Sequence, residues 1–180
     1  MTDMAPRRRR MIPVDFYSHG HRVSTQINVY AWPLSAQLND RRSEWFDLDI
    51  AYVSRIEHLG EIISDYPLSI LRKNDISFAL IASKTDGVFK KTPSPFARFW
   101  YRALVAVPSF ELTGMLEATG TLDLHTLLAA GAERYFPLFK PSVTLSTDPR
   151  VRLTGEVALI NMDKVEFICA ENKGEPAPDM

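Results

Sequence analysis

The chain has 180 residues, 46% of them apolar and 24% charged, the balance of a globular protein with a buried core, which excludes disorder along its whole length. With 21 Lys and Arg against 22 Asp and Glu the net charge is −1, so no global field draws the protein to nucleic acid or anionic lipid. The single cysteine excludes an intramolecular disulfide, no Cys/His spacing matches a structural zinc site, and no apolar run approaches the roughly 18 residues that span a bilayer. The expectation is a cytoplasmic protein with no integral membrane segment, metal or cofactor.

The chain begins with a run of four cations, Arg7, Arg8, Arg9 and Arg10. No apolar stretch follows them, because MIPVDFYSHGHR soon turns polar, so residues 1–10 read as a basic disordered arm and not a secretion signal. Residues 11–82 form the first expected unit. IPVDFYS, an HGH turn and RVSTQINVYAW alternate apolar and polar residues, which predicts a strand pair. Val23, Thr25, Ile27 and Val29 share one face of the second strand. Gly20 is expected to supply positive φ in the turn, with His19 and His21 in solvent and not on a metal.

LSAQLNDRRSEWFDL follows at residues 34–48, where Ser35 is the expected cap of a short helix. WFDLDIAYVSRI then returns to strand character. LSILRKNDISFALIAS reads as two strands around a KND turn, a hairpin signal. Residues 83–99 are the expected linker, SKTDGVFKKTPSPFARFW at 83–100 being too aromatic for a plain flexible spacer.

Residues 100–170 give the same order again. YRALVAVPS and FELTGMLEATG predict a strand pair with a tighter turn. Asp123 caps LHTLLAAGA, whose Leu124, Leu127 and Leu128 lie on one stripe, and Gly131 is its expected stop. YFPLFKPSVTLS and VRLTGEVALINMDKVEFICA complete the unit, with NMDK as a second hairpin turn. The tail, residues 171–180, is polar, contains proline and lacks periodicity, so it is expected to be disordered.

The two units echo each other. Leu34 and Leu124 stand ninety residues apart, and the same offset pairs Leu38 with Leu128, Trp45 with Tyr135, Phe46 with Phe136, Leu48 with Leu138 and Val53 with Val143. After a one-residue slip Val23 and Ile27 meet Leu112 and Leu116, while Ile76 and Phe78 meet Val165 and Phe167. The matches are apolar and the mismatches mostly polar, as when two segments share a core and differ in surface. The expected fold is mainly β with short α: tandem duplicated small β-barrels or rolls, each of about five strands and one short helix, related by a pseudo-two-fold.

Leu34-Ser35, Leu38-Asn39 and Phe46-Asp47-Leu48 together resemble an uncharacterised bacterial domain family of unknown function with the pattern LSxxLN…FxL. The second unit departs from it, with His125 in place of Ser35 and Ala129 in place of Asn39. The strand order, with Gly114 in mid-strand, also resembles Sm-like and other SH3-like small barrels; this is a likeness of fold alone.

No residue set points to an enzyme. There is no GxxxxGK(S/T) or GxGxxG phosphate loop, no isolated carboxylate pair, and Cys169 lies in the apolar stretch VEFICA, where it is expected to be a small buried hydrophobe. The expected function is a non-catalytic protein-interaction or assembly module whose partner is another protein or a second copy, with no small-molecule substrate. The competing reading is an RNA-binding regulator. The candidate contacts for either partner are Arg7, Arg8, Arg9, Arg10, Lys90, Lys91, Phe96, Arg98, Phe99 and Trp100, since cations suit phosphate and aromatic rings suit unpaired bases.

Overall fold

A computed structural model describes residues 10–82, 96–129 and 133–177. Strand β1 (Met11–Tyr17) pairs antiparallel with β2 (His21–Asn28), from Met11 opposite Asn28 to Tyr17 opposite Arg22. Helix α1 (Leu34–Asn39) is followed by β3 (Trp45–Leu48), β4 (Ala51–Arg55), β5 (Ser64–Tyr66), β6 (Ser69–Arg72) and β7 (Phe78–Ile81). The later half holds β8 (Arg98–Val107), β9 (Phe110–Thr119), helix α2 (Leu124–Ala129), β10 (Tyr135–Leu145), β11 (Asp148–Thr154), β12 (Val157–Asn161), β13 (Phe167–Ala170) and β14 (Glu175–Pro176).

The alternating strand pairs form as expected. β8 and β9 are joined by Pro108 and Ser109, with Val107 opposite Phe110. Proline fixes φ at the first turn position, and Ser109 takes the left-handed φ of 72° at the second. Gly20 does not take the positive φ expected of it; among the described residues Gly120 is the glycine that does. The Asp123 cap is present, with Oδ1 accepting from the N–H of His125 (2.9 Å) and of Thr126 (3.3 Å). Ser35 is not a cap: Pro33 precedes the helix, and Ser35 lies buried with no partner for its Oγ.

The described strands form one open antiparallel sheet in the order β13-β8-β9-β10-β12-β7-β1-β2-β4-β5, with β11 beside β10 and β14 beside β8; β3 and β6 form a separate ribbon. The closed barrels expected from the sequence are not present. The reason lies in the two turns read as hairpins. Lys73–Asp75 and Met162–Lys164 are 3-10 turns, and the strands they join do not pair with each other. β6 stays on β3 while β7 crosses to β1, and β12 stays on β10 while β13 crosses to β8. Neither half closes on itself. Instead β7 pairs with β12, from Val157 opposite Ile81 to Ile160 opposite Phe78.

That junction divides the interior into two cores. Ala79 and Ile81 of β7 join Val157 and Leu159 of β12 in a core with Ile12, Val14, Phe16, Leu34, Leu38 and Phe46. The alternate residues, Phe78 and Leu80 with Ala158 and Ile160, enter a second core with Val105, Phe110, Leu112, Leu138 and Val143. Strands covered on both faces are largely apolar, and all nine residues of the two strands are buried, the polar one, Asn161, donating through Nδ2 to the Ile76 carbonyl (2.8 Å). Each large side chain so buried contributes roughly 1.5–3 kcal/mol. Tyr17, stacked on Phe78 at 4.5 Å, reaches from the earlier half into the second core, as Tyr135 and Phe139 reach into the first.

β10 runs unbroken from Tyr135 to Leu145, bending where Lys140 takes φ 49° before Pro141 and the register with β9 shifts between Phe139 and Ser142. In the earlier half the shorter strands β3 and β4 follow α1. At the end of the chain, residues 171–177 depart from the expectation of a disordered tail, since Glu175 and Pro176 pair with Trp100 and Phe99 of β8.

Candidate functional site

Six strands pair with a single neighbour among the described residues, β3, β5, β6, β11, β13 and β14; two of these are β6, bonded to β3, and β13, bonded to β8. Backbone N–H and C=O groups along such edges are ready to pair with another strand. Leu68 (89% exposed) and Ile70 (62%) lie at the β6 edge, and Phe167 (50%) lies on β13. Cys169, expected to be buried, is exposed, because β13 is an edge strand and one of its faces has no cover.

The β6 edge continues into a groove of about 680 Å³ lined by Tyr30, Trp32, Trp45, Phe46, Gln37 and Lys73, among others. Trp45 sits opposite Arg72, so the rim of the groove and the strand edge are one surface. Tyr30, Trp32 and Trp45 are each about half exposed. Lys73 forms the floor. Only 3% exposed, it donates through Nζ to the carbonyls of Gln37 (2.8 Å) and Asp40 (3.0 Å) and lies 5.8 Å from the Phe46 ring centroid. Those carbonyls belong to the end of α1, where a cation also meets the negative end of the helix. Burial lowers the Lys73 pKa, and the nearby Asp40 opposes that shift.

Asp40 itself accepts from Nε and Nη2 of Arg42 (2.9 and 3.1 Å), and these bonds hold its carboxyl at about 2. The polar groups of the groove are therefore largely satisfied. What the surface offers is aromatic area and an unfilled strand edge, which suit a polypeptide better than a reacting small molecule. Among the buried groups, Tyr17 and Tyr135 have phenol pKa values that burial raises well above the ordinary value. Tyr135 donates to the Lys73 carbonyl (2.5 Å) and is thus engaged in structure.

The sequence candidates do not come together as one site. Arg7, Arg8, Arg9, Lys90 and Lys91 lie outside the described residues. Arg10 stands just before β1, its N–H donating to Asn28 Oδ1 (3.2 Å). Phe96 is 70% exposed, whereas Arg98, Phe99 and Trp100 belong to β8. Arg98 meets Glu117 at 3.5 Å, Phe99 is half-buried, and Trp100 is buried and stacked on Phe139 at 6.2 Å. His19 and His21 are exposed, as expected, and the His19 carbonyl accepts from Ser109 Oγ (3.0 Å) of the other hairpin turn.

Sequence reasoning did not single out Trp45, Leu68, Ile70 or Phe167. The signal was present in the echo itself, since Trp45 and Phe167 each stand opposite an aromatic residue that the structure buries. Among the described residues no group of three or more His, Cys, Asp and Glu is placed to hold a metal ion, and no helix is long and apolar enough to cross a membrane. Comparison of the chain with protein-family models, with curated proteins and with solved structures returned no match.

Proposed function

We propose that the chain is a non-catalytic interaction or assembly module built from two divergent copies of one β-rich unit. The observation that carries this reading is a correspondence of pairing. β1 with β2, β1 with β7, β2 with β4, β4 with β5 and β3 with β6 have counterparts in β8 with β9, β8 with β13, β9 with β10, β10 with β11 and β10 with β12.

Bonds outside the ladders support it as well. Lys73 N–H donates to Glu44 O (2.9 Å) and Met162 N–H to Arg134 O (2.8 Å). Ser77 N–H donates to Tyr17 O (2.7 Å) and Glu166 N–H to Ala106 O (2.9 Å). These partners stand at the offsets seen in the sequence echo. Shared pairing with unlike surfaces suits a module that meets neighbours through its edges, and Leu68, Ile70 and Phe167 are exposed apolar residues at two of those edges.

Full-length tagged chain, purified gently at native expression, is expected to bring down a stoichiometric protein or further copies of itself. Ile70→Glu or Phe167→Glu is expected to release that partner without changing the melting temperature, since both side chains are already in solvent. A chain that always runs alone overturns the reading. For RNA binding, Arg98 is engaged by Glu117 and Trp100 is stacked inside the protein, so the described residues favour a protein partner.

A further inference from the structure

We infer that copies of this chain join head to tail, β13 of one chain adding to β6 of the next in the register that β7 and β12 keep inside a single chain. This rests on the duplicated-module reading above and names the partner.

The pairing correspondence makes β13 the counterpart of β7 and β6 the counterpart of β12. Inside the chain β7 and β12 lie side by side, so the one junction a duplicated unit can make is already made once. It joins the last strand of one unit to an earlier strand of the other, and is therefore not self-complementary. Each chain is left with one edge of each kind, β6 at one place and β13 at another. An interface of that type repeats into a closed ring or an open filament.

Exposure agrees with the same template. Tyr135, Val157, Leu159 and Phe78 are 0–1% exposed because the β7–β12 junction and its surroundings cover them. Their counterparts Trp45, Leu68, Ile70 and Phe167 are 48%, 89%, 62% and 50% exposed. These four exposed apolar residues thus have counterparts that the internal junction and its surroundings bury.

The register transfers residue by residue. Ile160 opposite Phe78 becomes Leu71 opposite Phe167, Leu159 opposite Ala79 becomes Ile70 opposite Ile168, and Ala158 opposite Leu80 becomes Ser69 opposite Cys169. One step further, Asn161 N–H donates to Ser77 O (2.9 Å) inside the chain. The counterpart pair is Arg72 and Glu166, so the bond is kept and opposite charges face each other across the strands. The aromatic groove rim at Trp45 would be covered by the incoming turn at Met162–Lys164, as Tyr135 is by Lys73.

Three measurements on the full chain test this. Light scattering on the native protein is expected to give a multiple of the protomer mass. Ile70→Glu, which blocks the β6 edge, and Phe167→Glu, which blocks β13, are each expected to be monomeric with unchanged circular dichroism. Mixed together, they are expected to form a one-to-one dimer and nothing larger, because one intact β6 then meets one intact β13.

Ser69→Cys adds a second thiol opposite the native Cys169, at an antiparallel separation of about 4.5–5.5 Å between Cα atoms that suits a disulfide. Oxidation of this variant with diamide, which takes up the two thiol hydrogens, is expected to join residue 69 of one chain to residue 169 of another, as read by mass spectrometry on mixed isotopic labels. A monomeric native chain, a Phe167→Glu variant that still dimerises, or cross-links only between two Cys169 residues would overturn head-to-tail pairing. A monomer that holds a different protein stoichiometrically refutes this inference and leaves the interaction module standing; a monomer with no partner refutes both.

Discussion

Asn39, the last residue of α1, is the polar side chain whose loss should be felt most across the two halves. Its Nδ2 donates to the carbonyl of Tyr135 (3.1 Å), and its Oδ1 accepts from the N–H of the same residue (2.8 Å), so the amide pairs with Tyr135 as a strand would. Tyr135 is 1% exposed, which leaves little room for water to replace either bond. Asn39→Ala removes two hydrogen bonds and strands a buried donor and a buried acceptor, a loss of about 2–3 kcal/mol. With a urea m-value of about 2 kcal/mol/M, the unfolding midpoint should fall by about 1 M.

Asn39→Asp keeps the acceptor but turns an anionic oxygen towards the Tyr135 carbonyl, so it should cost at least as much. Chemical unfolding followed by tryptophan fluorescence measures both. If Asn39→Ala shifts stability by less than about 0.5 kcal/mol, the amide is a surface ornament and the stitch between the halves lies elsewhere. The same result would return Asn39 to the pool of free polar residues open to a ligand.

Gly114 is held by close approach: a Cβ there would stand 2.8 Å from both Leu138 Cγ and Phe139 O. Gly114→Ala should destabilise by about 1–3 kcal/mol, while Gly60→Ala, with nothing within 4 Å, should stay within about 0.5 kcal/mol, both read by thermal melting. The buried phenols of Tyr17 and Tyr135 have pKa values raised above the unfolded value, so their contribution is complete below about pH 10 and is lost as pH rises towards the folded values. With two such groups, stability should fall by about 2.7 kcal/mol per pH unit above pH 10, a slope that Tyr135→Phe should halve. Ultraviolet titration of the phenols alongside denaturant melts at each pH tests it; ionisation of both near pH 10 in the folded protein would contradict the burial argument.

Much of this fold could be read from the string. The strand pairs β1–β2 and β8–β9 follow from strict alternation and short turns, and the Asp123 cap from its place ahead of Leu124. These features depend on near neighbours in sequence. The KND and NMDK turns were misleading for the complementary reason: alternation shows which face of a strand is buried and says nothing about which strand lies beside it. A three-residue 3-10 turn sent β7 and β13 across to β1 and β8, and with that choice neither half closes on itself.

Asn39 and Cys169 show the same division. The asparagine stood out in the sequence as a polar residue that the second unit lacks, yet only the fold brings Tyr135, 96 residues away, to its amide. Cys169 lies in a stretch as apolar as FALI, but Phe78–Ile81 has β12 beside it and Phe167–Ala170 has no described strand beyond it. Composition and period determined what these strands are. Burial depends on what stands next to a strand in space, and only the tertiary structure decided that.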